Sequence, residues 1–282
     1  MADVIALVFD FDDTLAPDST SGFLQEIGVD PDAFWRDQVG PLLDHEDWDP
    51  VPAYLYHMLE LSRSGGYGRI TRERLQDWGR RLPLHDGVDT LFDRLRASLR
   101  QAHPTVQLEF YLISSGIGDV LRGTPIAEQF SDIWASEFHY DATGAIDFPR
   151  RVVSFTDKTR YLFHIQKGII GPESRNKPFE VNRKVAADKL RVPFEQMIFV
   201  GDGYTDIPCF SLIRRSGGVA FGVWDARHKE KRSRAWGFIE DGRVSNLNQA
   251  RFDDAAELYP LLEAAVESLA SKIILKTRTY GG

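Results

Sequence analysis

The chain has only one cysteine, Cys209, so no intramolecular disulfide can form. That shortage points to a reducing compartment, and Cys209 reads as a small buried residue rather than a reactive thiol. Long hydrophobic runs are missing too: none approaches the ~20 apolar residues of a membrane-spanning helix. The first run, Val4 to Phe9, follows Asp3 rather than basic residues and is too short for a secretory signal core. A cytoplasmic address without a membrane partner is expected. The seven histidines show no paired spacing, which argues against a zinc site. Positive charge is in deficit, with 34 Lys and Arg against 42 Asp and Glu and a net charge of -8. Such a field repels nucleic acid and anionic lipid, so an anionic substrate has to be held by local cations. Internal repeats and low-complexity segments are absent as well.

What remains is a chain of 282 residues, 43% apolar, long enough to bury an α/β core and to carry a smaller second unit. Short apolar runs rich in β-branched and aromatic residues, Val4 to Phe9, Leu108 to Ile113, Met197 to Val200 and Val219 to Trp224, read as buried strands. Helical patterns at Val88 to Leu99, Lys158 to Ile165 and Lys184 to Leu190 alternate with them. The alternation predicts an α/β fold, a doubly wound and mostly parallel sheet with helices on both faces. Between Ala16 and Leu84 the strand-like runs give way to amphipathic stretches such as Pro52 to Ser62 and Arg72 to Arg81. The expected division is a core of residues 1–15 and 85–282 with a helical cap of residues 16–84, entered at Pro17 to Thr20 and left at Leu82 to Gly87. These two crossings could serve as a hinge. Ile133 to Phe155 alternates around Asp141-Ala142-Thr143-Gly144 as a hairpin does, Ile170 to Asn182 reads as a loop, and Ala255 to Ile274 as a helix.

Chemistry collects after the predicted strands. In Asp10-Phe11-Asp12-Asp13-Thr14-Leu15, an extended chain points Asp10 and Asp12 to one side and Asp13 to the other. Two carboxylates sharing a site push their pKa values apart, so that one stays an anionic nucleophile while the other holds a proton. In Gly201-Asp202-Gly203-Tyr204-Thr205-Asp206, two carboxylates four apart, without neighbouring cations, suit a hard cation such as Mg²⁺. The glycines beside Asp202 permit close approach. Ser114-Ser115-Gly116-Ile117-Gly118-Asp119 reads as a small-residue turn whose hydroxyl and N–H groups face a phosphoryl oxygen at a helix start. All three clusters fall at the C-terminal ends of strands, the edge where open α/β sheets bind ligands. A phosphate among so many carboxylates needs a fixed cation; Lys158 is the first candidate and Lys177 the alternative.

Plainer roles compete for each residue. An isolated aspartate more often caps or turns than catalyses, and Asp13 is expected to cap or to face solvent. Ser114 and Ser115 are also candidate helix caps, and Lys158 a solvated lysine. Phe34, Trp35, Trp48, Tyr54, Tyr56 and Trp78 are assigned to the core of the helical unit, with no site role. Arg63, Arg69, Arg72 and Arg74 either face solvent or reach an anionic substrate tail, and Arg227-His228-Lys229-Glu230-Lys231-Arg232 reads as a solvated helix face.

In order and spacing, Asp10 to Leu15, Ser114 to Asp119, Lys158 and Gly201 to Asp206 resemble the four motifs of the haloacid dehalogenase-like (HAD) superfamily of hydrolases. The helical insert resembles the C1 cap of its phosphoserine phosphatases and pyrimidine nucleotidases. The resemblance implies a Rossmann-like core, with Asp10 as nucleophile and Asp12 as general acid and base. It implies that Ser114 and Lys158 bind the phosphoryl group, that Asp10, Asp202, Asp206 and the backbone carbonyl of Asp12 hold Mg²⁺, and that Thr14, Ser115, Gly116 and Gly201 support them. A carboxylate at Asp12 matches the phosphatases, since the dehalogenases lack it and the P-type ATPases have threonine there. The Ser114 to Asp119 phrase looks like the nucleotidase version, while Ser19 stands where phosphoserine phosphatases usually place a substrate-binding glutamate. The implied activity is Mg²⁺-dependent hydrolysis of a small soluble phosphomonoester through an aspartyl-phosphate. Alternatives are a phosphotransferase with another acceptor, a phosphate-ester-binding module without turnover, and a dehalogenase.

Overall fold

The computed structural model describes residues 3–227 and 236–280. Its sheet has seven strands, β1 (Val4–Phe9), β2 (Gln107–Ile117), β3 (Asp132–Tyr140), β4 (Ile146–Arg151), β5 (Met197–Gly201), β6 (Val219–Trp224) and β7 (Asn246–Gln249), in the order β4-β3-β2-β1-β5-β6-β7. Only the β3–β4 pair is antiparallel. Every residue of β1 is buried, as suits a central strand with neighbours on both edges and helices on both faces. The side-chain alternation of a strand then divides the core in two. Ile5, Leu7 and Phe9 join a cluster with Phe92 and Leu262, whereas Val4, Ala6 and Val8 join one with Tyr161 and Phe210.

Between β1 and the next long helix the chain forms α1 (Ser19–Glu26), α2 (Pro31–Ala33), a π turn at Phe34–Val39, α3 (Gly40–Glu46), α4 (Pro50–Ser64) and α5 (Arg72–Arg81). Their ends carry recognisable signals. Asp18 caps α1 by accepting the Thr20 and Ser21 N–H groups, Thr71 caps α5, and α4 opens on Pro50 and ends at Gly65 in the left-handed region. The rest of the sheet is covered by α6 (Val88–Ala102), α7 (Gly118–Gly123), α8 (Asp157–Lys167), α9 (Ile207–Arg215) and α10 (Leu258–Tyr280). The helices α6 and α10 line the Phe9 face, and α8 and α9 the Val8 face.

Helix α5 lies hard against α7. A Cβ at Gly79 would sit 2.1 Å from the Val120 carbonyl, and one at Gly123 would sit 2.4 Å from that of Gln76. Only glycine permits this approach. The hairpin of β3 and β4 also reaches the inserted helices: Ile146 N–H donates to the Ile70 carbonyl (2.8 Å), and Thr71 bridges to Ala145.

The elements differ from expectation in several places. The second strand runs on to Ile117, so Ser114 and Ser115 lie on the strand with a register shift, not on a turn, and α7 starts only at Gly118. Lys184 to Leu190 is not a helix; it holds one 3₁₀ turn at Ala187–Lys189. Seven mostly exposed residues lack the apolar face that would offset helix nucleation. Strand β7 escaped notice because Asn246-Leu247-Asn248-Gln249 is polar and lies at the sheet edge. The last helix runs from Leu258 rather than Ala255 and continues past Ile274. No helix among the described residues is long and apolar enough to cross a membrane. Of the basic run after Arg227, residues 228–232 lie outside the described residues, and Arg227 itself pairs with Asp225.

Candidate active site

The strand order reverses direction between β1 and β5, because β2 and β3 follow β1 on one side while β5, β6 and β7 build on the other. Open α/β sheets bind ligands in the crevice that such a switch leaves at their C-terminal edge. Asp10 stands there as the first residue beyond β1, its N–H donating to the Val200 carbonyl of β5 (2.9 Å). Phe11 is fully buried in the Phe9 cluster, so Asp10 and Asp12 turn to the opposite side, as the alternation requires.

Three carboxylates converge in the crevice. One oxygen each from Asp10, Asp202 and Asp206 lies within 4.8 Å of the others. Asp206 is fully buried, and its Oδ2 accepts the N–H groups of Asp202 (3.1 Å) and Gly203 (3.0 Å), which folds the turn after β5 around it. A Cβ at Gly201 would meet that same oxygen at 2.5 Å, so glycine is required where the carboxylate crosses the strand end. The pair is not without a cation. Lys158, fully buried at the start of α8, places Nζ 2.7 Å from Asp206 Oδ1 and 3.0 Å from Asp10 Oδ1. The Asp206 contact is a hydrogen bond; the Asp10 contact is an ion pair off the hydrogen-bond direction. Lys177 is exposed on the loop after α8 and takes no part in this cluster.

Charge is short of balance at this point. Burial disfavours the Lys158 ammonium, yet Asp10 and Asp206 outweigh it and hold the lysine protonated. Burial and the Asp206 charge push the Asp10 carboxyl well above its ordinary range in spite of Lys158. Three carboxylates facing one ammonium make a pocket that a hard divalent cation would neutralise, and oxygen ligands are the donors Mg²⁺ prefers. The donor set therefore fits that ion.

Asp12 sits beside this group in different surroundings. Its Oδ1 accepts the Ser19 N–H at 2.7 Å, and its Oδ2 lies over Gly116, where a Cβ would come within 2.5 Å. Burial and the charge of Asp18 push its carboxyl up to about 7, against the pull of the Ser19 hydrogen bonds. Asp12 is thus poised to hold a proton near neutrality.

The remaining sequence candidates are placed as follows. Ser114 is buried and its Oγ accepts the Gly116 N–H (2.9 Å), bracing the strand end. Ser115 is not a helix cap: its carbonyl accepts the Tyr54 hydroxyl (2.7 Å) and the Ser136 hydroxyl (3.0 Å), while its own Oγ is buried without a hydrogen-bond partner. Thr14 is fully buried behind the first loop. Asp13 is buried rather than solvated, in a left-handed conformation with φ of 57°, which a short polar side chain tolerates. The inserted arginines lean on the hairpin: Arg69 pairs with Asp141, Arg63 bonds the Asp147 carbonyl, and Arg72 reaches Asp119 and stacks over Tyr140. Phe34 is core, as expected, but Trp48 and Tyr56 are over a third exposed. Tyr54 and Trp78 were missed as neighbours of the site, since only the fold shows the tyrosine hydroxyl at Ser115 and the Trp78 Nε1 at the Ser19 carbonyl (3.0 Å). Burial of Cys209 pushes its thiol up and leaves it inert, a packing residue.

Comparison with known proteins follows the same outline. An uncharacterized protein from Borreliella burgdorferi is 26% identical over 277 residues, covering 91% of this chain and 94% of its own. Among solved structures, a HAD family hydrolase from Salmonella enterica serovar Typhi aligns with a TM-score of 0.53 at 14% identity, over 82% of this chain; the chain spans 65% of that protein. A substrate-bound phosphoserine phosphatase aligns with a TM-score of 0.52 at 14% identity, over 92% of this chain and 97% of its own. A probable phosphoserine phosphatase from Vibrio cholerae aligns with a TM-score of 0.52 at 13% identity, over 97% of this chain and 67% of its own. At these identities the structural likenesses establish the fold. The sequence model of the haloacid dehalogenase-like hydrolases matches residues 7–211, from within β1 to α9. With that span and this fold, the chain belongs to the haloacid dehalogenase-like hydrolase family.

Proposed function

We propose that the protein is a Mg²⁺-dependent phosphatase that hydrolyses a small soluble phosphomonoester through an aspartyl-phosphate on Asp10. The observation that carries this is Lys158 Nζ between Asp10 and Asp206, within a group of three carboxylates at the switch point of the sheet. A lone acidic cluster would serve a cation only; the buried lysine beside Asp10 adds a fixed positive charge for an anionic substrate.

In this scheme an Asp10 oxygen attacks phosphorus in line, and the bond from phosphorus to the ester oxygen breaks. Asp12 gives its proton to the departing oxygen. It then takes a proton from the water that attacks the aspartyl-phosphate, so that phosphate leaves and the Asp10 carboxylate is restored. Proton transfer of this kind is worth roughly 10²–10⁴-fold. Lys158 offsets phosphoryl charge and Ser114 supplies a hydroxyl to it. Asp10, Asp202, Asp206 and the Asp12 carbonyl would hold Mg²⁺, which when bound would supply charge neutralisation at the reacting centre. Thr14, Ser115, Gly116 and Gly201 shape the loops that carry these groups. Residues 1–15 and 85–282 form the catalytic core and residues 16–84 the cap over it, and the protein works in the cytoplasm.

The test is phosphate release from p-nitrophenyl phosphate and a panel of small phosphomonoesters, with Mg²⁺ and with chelator. Turnover is expected to need Mg²⁺ and to vanish in Asp10→Asn. A well-folded parent that releases no phosphate from any ester would end the phosphatase assignment.

A further inference from the structure

Trp78 lies on α5, on the inserted segment, yet a chain of hydrogen bonds links it to Asp12. Its Nε1–H donates to the Ser19 carbonyl (3.0 Å), and the Ser19 N–H donates to Asp12 Oδ1 (2.7 Å). The indole is half-buried and wedged in place: a Cβ on Gly22 of α1 would lie 2.5 Å from its Cζ2. The next residue, Gly79, is where α5 makes its closest approach to α7. Helix α5 is therefore seated on α7, and from that seat Trp78 fixes the first residue of α1, whose amide meets the carboxylate.

We propose that Trp78, acting through the Ser19 amide, is a positioning residue for the proton-transfer role of Asp12. The inference rests on the assignment of Asp12 as general acid. A carboxylate with two equivalent oxygens delivers a proton well only if one is tied down and the other faces the leaving group. Ser19 ties Oδ1; Oδ2 lies over Gly116, whose missing side chain leaves it room. The Trp78 hydrogen bond holds the peptide unit between Ser19 and Thr20, the one next to the unit that carries the Ser19 N–H, and so fixes the position of the Ser19 α carbon from which that N–H is set. Displacement of α1 by a fraction of a hydrogen-bond length would release Asp12 without touching Asp10, Lys158 or the cation ligands.

Ser19→Pro removes the central N–H link together with the buried Ser19 hydroxyl, which also bears on Asp12, so Ser19→Ala, which keeps the N–H, is its control. Ser19 is the first residue of α1, a helical position where proline is favoured, and Asp18 before it has φ of -50° and ψ of 106°, which a following proline tolerates. Trp78→Phe removes the outer link and keeps an aromatic ring beside Gly22. Both are compared with the parent and with Asp12→Asn on two Mg²⁺-supported substrates, p-nitrophenyl phosphate and propyl phosphate. The aryl leaving group needs little protonation; the alkyl one needs it fully. Asp12→Asn is expected to lower the alkyl-to-aryl ratio of kcat/KM most, Ser19→Pro about tenfold as a partial loss of the proton-transfer factor, and Trp78→Phe by a smaller factor. The double variant should fall no further than Ser19→Pro alone, because the two residues act in one chain. Amide hydrogen exchange adds a reading apart from turnover: the Ser19 amide should exchange faster in Trp78→Phe.

An unchanged ratio in Ser19→Pro, or equal losses on both esters in folded Trp78→Phe, would overturn the positioning role. Unaltered exchange at Ser19 in Trp78→Phe would do the same for the Trp78 link. If Asp12→Asn itself leaves the ratio intact, the assignment of Asp12 as general acid fails first and the positioning role falls with it.

Discussion

The two halves of the inserted segment are held very differently. The half from the end of α4 through α5 is bonded to the rest of the molecule by the Gly79 and Gly123 contact with α7 and by the Ile70 and Thr71 backbone links to the hairpin, while Arg69 and Arg72 pair with Asp141 and Asp119. The half containing α2 and α3 has no buried residue in either helix, and the π turn between them anchors it through Phe34 and Val39. The comparison argues against a lid that swings as one body about its two crossings. Opening of the whole segment would strip a backbone-to-backbone helix contact and a β-bridge, whereas displacement of α2 and α3 alone leaves both intact. Access to Asp10 is thus expected through the outer half, while the α5 half of the cap stays seated on α7 and the hairpin.

The sharpest way to break the comparison is Gly79→Ala. A methyl group 2.1 Å from the Val120 carbonyl has to push α5 and α7 apart, an overpacking cost of about 1–3 kcal/mol that outweighs the ~1 kcal/mol gained in helix propensity. A higher urea midpoint in Gly79→Ala would show that the helix pair is loose. Next in size is the Glu137 cluster, which ties α7 to the hairpin: Arg122, Arg150 and Arg151 surround this buried carboxylate. Burial alone would push it up, but the arginines outweigh burial and hold it below its ordinary value of 4.5. A depressed carboxylate lends stability that is complete above the unfolded value and is lost as pH falls through the folded one. Urea midpoints should therefore fall more steeply below pH 4.5 in the parent than in Glu137→Gln. Tyr54→Phe comes third. It removes the hydroxyl donated to the Ser115 carbonyl and should cost about 0.5–1.5 kcal/mol by the same measurement. Last, Leu43→Ser on the exposed face of α3 should stay within about 0.5 kcal/mol, since surface changes away from packed features seldom exceed that. A loss as large as that of Gly79→Ala would erase the distinction between the halves.

How far the sequence led depended on how local the physics was. Val4–Phe9, Val219–Trp224 and Arg72–Arg81 appear with the bounds their patterns predict, because each is a run whose own periodicity decides its state. The direction of Asp10 and Asp12 was legible for the same reason, since it follows from the pleat. Lys158 was one of two candidates until the crossover through α8 brought its ammonium to Asp10, a meeting across 148 positions that no local pattern encodes. Asp13, expected to cap or to face solvent, is buried in a left-handed conformation, an outcome of tertiary packing that the polar loop sequence does not encode. Tyr54 and Trp78 were hidden by their bulk: an aromatic ring in a helical segment predicts core, and only the tertiary fold shows where its polar tip ends.

In the proposed mechanism, with Asp10 as nucleophile, the hydrogen bond from its amide to Val200 has a consequence for the entropy of the reaction. The Asp10 amide adds one hydrogen bond to the ladder between β1 and β5 just past the last paired residues, so its backbone is tied to the sheet rather than carried on a free loop. Ordering a residue in this way costs about 1–2 kcal/mol, and here that cost is met once, when the chain folds. A nucleophile carried on a mobile loop would meet it again at every turnover. In that mechanism, holding Asp10 still before substrate arrives is a contribution that the buried hydrophobic residues of β1 would make to rate.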